Sequence, residues 1–595
     1  MLAPDARSLL VDQLAPPEGS RFDAAVATTF TLDLTATLLP TLAFTGFHLA
    51  GGASDPIATL EAVRSTADRI DVFCQAGAIS VPEKAPDLLA FIEPMVHPVR
   101  PPGAGLFHPK AWFIRYIDEA DVASYRLLVL TRNLTMDASW DLAVRLDSHH
   151  GASRQHNATA ALADFLRSLP DRTTQQLDPA RKQRVLDLAE ESAHVVWENP
   201  EGADEVLLHY LNPGRALSMD FRGARHLVVS PFVDGVGLGR VSPKGPIQVL
   251  SRAEELEKLD NATAHRLTAR VLDELAVVQE IDESRLGGQL HAKMYVVEQS
   301  KNWSKSHVFI GSANATAAAF QINTEFMVEI RGHKKRFGIH NFLGDDGTFI
   351  SLTEPYAPSG TGGAEPEDEA RRELENAVRR VAAMAYTVLV LDDSSTADNL
   401  FTLRLRSEAV FNLEPGWSAT VELLTLADYA SAVVPGERLD ALVPEVQTGD
   451  ISPFLAVRVA SPTGTRASTV VVADLVNAPG DRLDVVLARQ IDTPEKFLRF
   501  LFFLLSLGSP AALAMLATSQ TIGGTGRSPF GNGASGVLEM VLGALATRPE
   551  ALIDLDALVT RLSTTSTGLS SLPSGFLAFW EVVRQAAGLD KEGPK

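Results

Sequence analysis

The sequence predicts an α/β protein made of two similar halves, followed by a small β-sandwich and a helical C-terminal region. Three observations predict it. A five-part pattern of chemically distinctive residues occurs twice, around His108 and around His291. Each copy is preceded by the same succession of apolar strand-like runs and helical stretches, the signature of an α/β layer. After the Pro/Gly-rich stretch Pro355 to Pro366 the pattern changes to short β runs separated by turn signals, and then to helical periodicity. The expected divisions are 1–200 (first half with a helical bridge), 201–354 (second half), 355–385 (linker and helix), 386–491 (sandwich) and 492–595 (helical region).

In chain order, Ala25 to Leu32 reads as a buried strand running into a helix, with Asp33 near the helix start. Gly46 to Gly52 reads as a loop, Asp55 to Ile70 as an amphipathic helix and Val72 to Ile79 as a strand. Pro98 to Gly105 leads to the first motif, and Ala158 to Asn199 is helical, bridging to the second half. That half restarts with strands at Arg225 to Val233 and Ile247 to Arg252 and a helix from Asn261 to Val278. Beyond the linker come a helix, Glu367 to Met384, and β runs at Tyr386–Leu391, Leu400–Leu405, Ser418–Leu424, Phe454–Val459, Ser468–Val472 and Asp484–Ala488. Thr493 to Gly588 is helical apart from Gly523 to Ser535, a stretch that lacks the GK[ST] ending of a phosphate loop.

The repeated pattern carries the chemistry. In the second copy the strand Leu290 to Glu298 opens with His291-x-Lys293, and alternation puts residues i and i+2 on one face. A second apolar run, His307 to Ile310, ends in Gly311-Ser312-Ala313-Asn314, and Glu325 opens a third strand. In the first copy His108-x-Lys110 matches His291-x-Lys293, Thr131-Arg132-Asn133 matches Ser312-Ala313-Asn314, and Asp141 to Leu146 matches Glu325 to Ile330. Lys110 and Asn133 are 23 residues apart, Lys293 and Asn314 are 21. Lysine, hydroxyl and amide donors suit the non-bridging oxygens of a phosphodiester, and a histidine supplies the reacting nitrogen. A carboxylate behind each imidazole would fix its tautomer, and Asp141 and Glu325 are in position for that. Which one serves which histidine is left open by the duplication.

Composition narrows the class. With 595 residues the chain exceeds one core, and 45% hydrophobic with 21% charged residues is ordinary for a globular protein. One cysteine, Cys74, allows no intrachain disulfide and suggests no zinc site. No metal or other cofactor is expected, because the lysines supply positive charge. The first twenty residues have no basic n-region, the longest apolar run, Phe500 to Leu505, is too short for a bilayer, and a cytoplasmic protein with no membrane partner is expected. The net charge of −21 weighs against nucleic acid as a partner, but the acids are dispersed. Locally the sign reverses at Arg331, Lys334, Lys335 and Arg336, a candidate backbone-phosphate rail; Thr131 is a further candidate phosphate ligand.

These motifs resemble the phospholipase D superfamily, over roughly residues 20 to 350. The resemblance implies that the halves pack as a pseudo-dimer, bringing both His-x-Lys motifs to one site within a monomer. The common pattern has an acid five residues after each lysine; here those positions are Arg115 and Glu298. That departure, with an asparagine in each copy, is similar to the tyrosyl-DNA phosphodiesterase branch. By the same resemblance His108 is the nucleophile, His291 the acid/base, and catalysis passes through a phosphohistidine. The expected substrate is nucleic acid, DNA before RNA. The alternatives are a phospholipid phosphodiesterase or transferase, and a catalytically inactive interaction subunit. Analogy also implies a role in bacterial defence or restriction, with residues 386–595 meeting a protein partner such as an ATPase subunit.

Overall fold

The structure is a computed structural model and describes residues 10–45, 56–101, 103–137, 139–149, 160–243, 245–273, 289–299, 304–344, 347, 349–362, 366–391, 400–506, 541, 549–564 and 566–587. It is a mixed α/β protein with several sheets. The first sheet contains β1 (Ser20–Thr29), β2 (Ile70–Gln75), β3 (Val96–Val99), β4 (Ala111–Asp118), β5 (Ala123–Leu130) and β6 (Ala143–Asp147), in the order β3-β2-β1-β4-β5-β6. The first three strands are mutually parallel, and β4 to β6 form an antiparallel meander on β1.

The second sheet contains β7 (Ala203–Leu211), β8 (Arg225–Val229), β9 (Ile247–Leu250), β10 (Leu267–Leu272), β11 (Met294–Glu298), β12 (Lys305–Gly311), β13 (Glu325–His333) and β14 (Thr353–Tyr356). Its order is β7-β13-β12-β11-β8-β9-β10-β14. The six strands from β10 to β13 repeat the first sheet in order and direction, with β7 and β14 added at the edges.

Both sheets have strands buried along their length, which requires cover on both faces. In β1 Ala24 to Thr29 are all buried, and so is every residue of β11. One face of each sheet enters a common core: Val26, Phe113 and Leu127 from the first, Val229, Val296 and Phe326 from the second. Helices Ala160–Arg167 and Pro179–Ser192 complete it through Phe165 and Leu188. Asp178 starts the longer of these, accepting from the Ala180 and Arg181 amides ahead of a proline at the first helical position. The other face of the first sheet is covered by helices Leu38–Thr45 and Pro56–Thr66, and helices Pro494–Ser506, Pro549–Ser563 and Phe576–Ala587 extend the same core behind them. Two four-stranded sheets between residues 386 and 476 share a further core with helix Pro366–Ala382.

A buried ion pair ties this last part of the chain to the first half. Glu93 Oε1 lies 3.1 Å from the Arg482 guanidinium and accepts from the Ser452 hydroxyl at 2.8 Å. Burial pushes the Glu93 carboxyl up against the opposing pull of Arg482. Arg482→Leu strands that carboxylate, and we expect a loss of about 3–5 kcal/mol in urea unfolding. An unchanged midpoint would contradict it.

Several elements differ from the sequence reading. Of Asn261 to Val278 the described residues, 261–273, form a single helical turn, Asn261–Ala264, followed by β10; within β10 the alternate residues Ala269 and Val271 face the core. Asp484 to Ala488 lies in helix Arg482–Gln490, where the apolar Val486 and Leu487 are buried one turn beyond the paired Arg482. Strands Ser431–Val433 and Asp440–Gln447 are additional. The stretches 46–52 and 523–535 lie outside the described residues. Among the described residues no helix is long and apolar enough to cross a membrane.

Candidate active site

Neither His-x-Lys segment belongs to a strand. His108 to Lys110 and His291 to Lys293 are extended lead-ins to β4 and β11. Pro109 has no N–H to give a ladder, and the backbone amides of both histidines are used elsewhere. The His108 amide donates to Thr324 O at 2.9 Å, and Thr324 returns a bond to Leu106 O at 2.8 Å. The Leu106 amide donates to Asn323 Oδ1 at 2.9 Å. Reciprocally, the His291 amide donates to Trp140 O at 2.8 Å, and Gln289–Leu290 pair in parallel with Ser139–Trp140. Each half thus hands its His-x-Lys segment to the residues that precede the last meander strand of the other. The approach is close: a Cβ on Gly105 would stand 1.8 Å from Ile322 O.

This exchange answers the question the duplication left open, since Glu325 of the second half serves His108 of the first. His108 Nδ1 is 2.9 Å from Glu325 Oε2, and Glu325 is fully buried. A carboxylate only accepts, so Nδ1 carries the proton and Nε2 presents a lone pair. Glu325 is held in turn by the Ser312 hydroxyl and, at 3.1 Å, by Asn323 Nδ2. Burial alone would raise its pKa, but His108, Lys110 and Ser312 bring it below the ordinary value, so it is a carboxylate.

The two lysines lie in the same buried space. Lys110 Nζ donates to His108 O at 2.9 Å; Lys293 Nζ donates to His291 O at 2.8 Å and, across the halves, to Thr131 O at 3.2 Å. Burial pushes Lys110 down to about 7 against the pull of Glu325, and pushes Lys293 well below its ordinary value with Lys110 adding to the effect. His108 is lowered to about 4, by burial above all, and His291 to about 2, by burial and then by Lys293, Lys110 and His108. The mutual influence of both histidines and both lysines means that one anion placed among them would relieve all four. Asn133 and Asn314 each have a buried Oδ1 without a hydrogen-bond partner among the described residues. An acceptor left unsatisfied in both copies has no partner in an anionic phosphodiester, and a turn of about 180° of each amide would put the Nδ2 donor in its place.

A pH dependence follows. Between about 4 and the ordinary histidine value the unfolded chain binds a proton at position 108 that the folded chain does not. Stability therefore falls as pH drops through that window, by about 3 kcal/mol from this group once it is crossed. The difference between wild type and His108→Gln in urea midpoints from pH 7 to pH 4 isolates the effect. A constant difference would contradict it.

The other expected site residues are placed differently. Asp141 does not back His291; its carboxylate is ion-paired with Arg132 at 3.2 Å, and burial raises its pKa. Arg132 stands where the second copy has Ala313, so only Glu325 is left free for an imidazole. Thr131 and Ser312 are fully buried and turned inward: Thr131 Oγ1 accepts from the Leu142 amide, and Ser312 Oγ from Phe326. Arg331 lies six residues along β13 from Glu325, roughly 20 Å in a strand. It pairs with Glu329 and Glu205, and Arg336 with Glu201. Arg331, Lys334, Lys335 and Arg336 therefore form no rail at the site. Of the two positions five residues after the lysines, Arg115 lacks the acid and pairs with Asp23 and Glu191, while Glu298 keeps one and is buried rather than outward, accepting from the Ile339 amide. Sequence reading missed Phe30, whose ring centroid is 5.2 Å from that of His108, and Gln75, which accepts from the Phe107 amide at 2.7 Å. Both end first-sheet strands that point at the site, a signal available only once the sheet order is known.

Residues 240–337, which include the second His-x-Lys segment, match the family described as "Cardiolipin synthase, PLD-like domain". This segment is therefore similar to a phospholipase D-like domain. Solved structures similar to this chain include tyrosyl-DNA phosphodiesterase from yeast, at 13% identity over 55% of this chain and 85% of that one, with a TM-score of 0.32. Another is phosphatidylserine synthase from Haemophilus influenzae Rd KW20, at 8% identity over 63% of this chain and 90% of that one, also with a TM-score of 0.32. No curated protein sequence matches the chain.

Proposed function

We propose that the chain is a metal-independent phosphodiesterase of the phospholipase D superfamily that cleaves nucleic acid, DNA before RNA, through a phosphohistidine. The observation that carries the reading is the His108–Glu325 bond made across the two halves, which leaves Nε2 of a buried neutral imidazole free as a nucleophile. In the first step Nε2 bonds to phosphorus, the P–O bond to the leaving group breaks, and the leaving oxygen takes a proton from His291. In the second, water gives a proton to His291 and attacks phosphorus, and the P–N bond to His108 breaks. Lys110, Lys293, Asn133 and Asn314 hold the non-bridging oxygens as charge builds. The phosphate, by supplying negative charge, raises His291 toward the protonated form that the first step needs.

The repeated strand order supports two halves, 1–200 and 201–354, packed as a pseudo-dimer within one chain. We read 386–491 as a β-sandwich after the linker and helix 355–385, and 492–595 as a helical region. Analogy alone suggests that 386–595 binds a partner such as an ATPase subunit in a cytoplasmic bacterial defence system.

One observation favours a phospholipid substrate instead. Met136, Phe232 and Ile322, on loops, and Val236, in the first turn of helix Gly235–Val241, are 40% to 58% exposed, and the matched family description names a lipid synthase. Labelled DNA, RNA and phosphatidylcholine, incubated in EDTA with wild type and His108→Ala, decide between them. Cleavage of DNA that depends on His108 is expected. Hydrolysis of lipid alone would overturn the nuclease reading, and loss of cleavage in EDTA would overturn the metal-free step.

A further inference from the structure

The two sides of the site are not alike at their rims. In the first half the strand-end residue that braces the His-x-Lys lead-in is Gln75, neutral and fully buried, bonded to the Phe107 amide. In the second half the same task falls to Arg252, which donates to Leu290 O, next to His291, at 3.2 and 3.0 Å. Among the described residues no carboxylate pairs with its guanidinium, which instead lies 5.0 Å from the centroid of the Phe232 ring. Phe232 is 40% exposed, and among the described large apolar residues it is the one phenylalanine or tryptophan so exposed. Its backbone is fixed to the other wall of the site. Phe232 O accepts from the Ser230 hydroxyl at 2.7 Å, and that hydroxyl accepts from the Ala315 amide, next to Asn314, at 3.0 Å. An exposed aromatic ring and a guanidinium that feels Glu254 and Glu255 but makes no ion-pair contact with either are thus tied to both the His291 and the Asn314 segments.

We propose that Phe232 and Arg252 form a stacking subsite for the nucleobase that flanks the scissile phosphate on the second-half side. The subsite deepens the phosphodiesterase reading, on which it rests. An aromatic face accepts any base, and a guanidinium beside it adds attraction for the base and for the adjoining phosphate. On the Gln75 side the ring is Phe30, which lies against His108 and Lys110 inside the site rather than beside a guanidinium at the rim, so the substrate is held asymmetrically, with its ordered base beyond His291.

Binding separates this subsite from the chemistry. The full chain, Phe232→Leu and Phe232→Trp are titrated with fluorescein-labelled single-stranded octanucleotides, one with bases and one with abasic sugars on the same phosphate backbone. Stacking of one base changes affinity roughly 5- to 150-fold, so wild type should prefer the base-bearing strand by at least fivefold. Phe232→Leu should lose that preference and keep its affinity for the abasic strand, while Phe232→Trp keeps both. Equal preference in wild type and Phe232→Leu, or no preference in wild type, would overturn the subsite. So would a Phe232-dependent affinity confined to phosphatidylglycerol vesicles, which would make the residue a lipid contact. A preference lost in Phe232→Leu in a protein that hydrolyses no strand would support the subsite and refute the phosphodiesterase reading instead.

Discussion

His108→Ala should lower phosphodiester hydrolysis roughly 10⁴-fold or more while leaving the protein folded. The imidazole is removed from a space in which it is the only nitrogen with a carboxylate at its back. The fold should survive because the bonds that place the segment are made by its backbone, from His108 N to Thr324 O and from Thr324 N to Leu106 O. The companion variant His291→Ala should lose turnover too, but for a different reason. With the nucleophile intact and the proton donor gone, substrates with good leaving groups should still react once and leave phosphate bound to His108. Acid-labile, base-stable label on wild-type His108 but not on His108→Ala would be the matching observation. Label retained in His108→Ala would remove His108 from the nucleophile's role.

Glu325→Gln should cost roughly 10³- to 10⁴-fold in rate, close to the loss from removing the imidazole, although one atom changes. The surroundings dictate which way the new amide faces. Asn323 Oδ1 is committed to the Leu106 amide, so its Nδ2 must donate toward Glu325 Oε1. A glutamine therefore keeps its oxygen toward Asn323 and turns its NH₂ to His108 Nδ1. That donor forces Nδ1 to accept, moves the proton to Nε2, and extinguishes the nucleophile. Asp141→Asn should change the rate only a few-fold, because Asp141 is engaged with Arg132 rather than with an imidazole. Equal losses in the two variants would show that both carboxylates act on histidines and would refute the asymmetry.

The residues that carry chemistry were legible because they come as a repeated set. His108, Lys110, His291, Lys293 and Glu325 lie in one locus. Where sequence reading erred, it took neighbours in sequence for neighbours in function. Thr131 turns to the Leu142 amide, Ser312 holds Glu325 rather than pointing outward, and Arg331 to Arg336 follow Glu325 but sit at the far end of β13. The stretch Asn261 to Val278 looked helical because its leucines and alanines favour helix, and the pairing of β10 between β9 and β14 overrode that propensity.

By itself the sequence determined the inventory of reacting groups and the fact of two copies, since residue type and spacing are local properties that duplication preserves. Only the tertiary structure decided the pairing. The lead-ins cross between halves, Arg132 occupies one of the two carboxylates, and a base-stacking rim can be sought on one side alone. These follow from which backbone amides find partners across an interface, and that depends on how the sheets pack rather than on the order of residues along the chain.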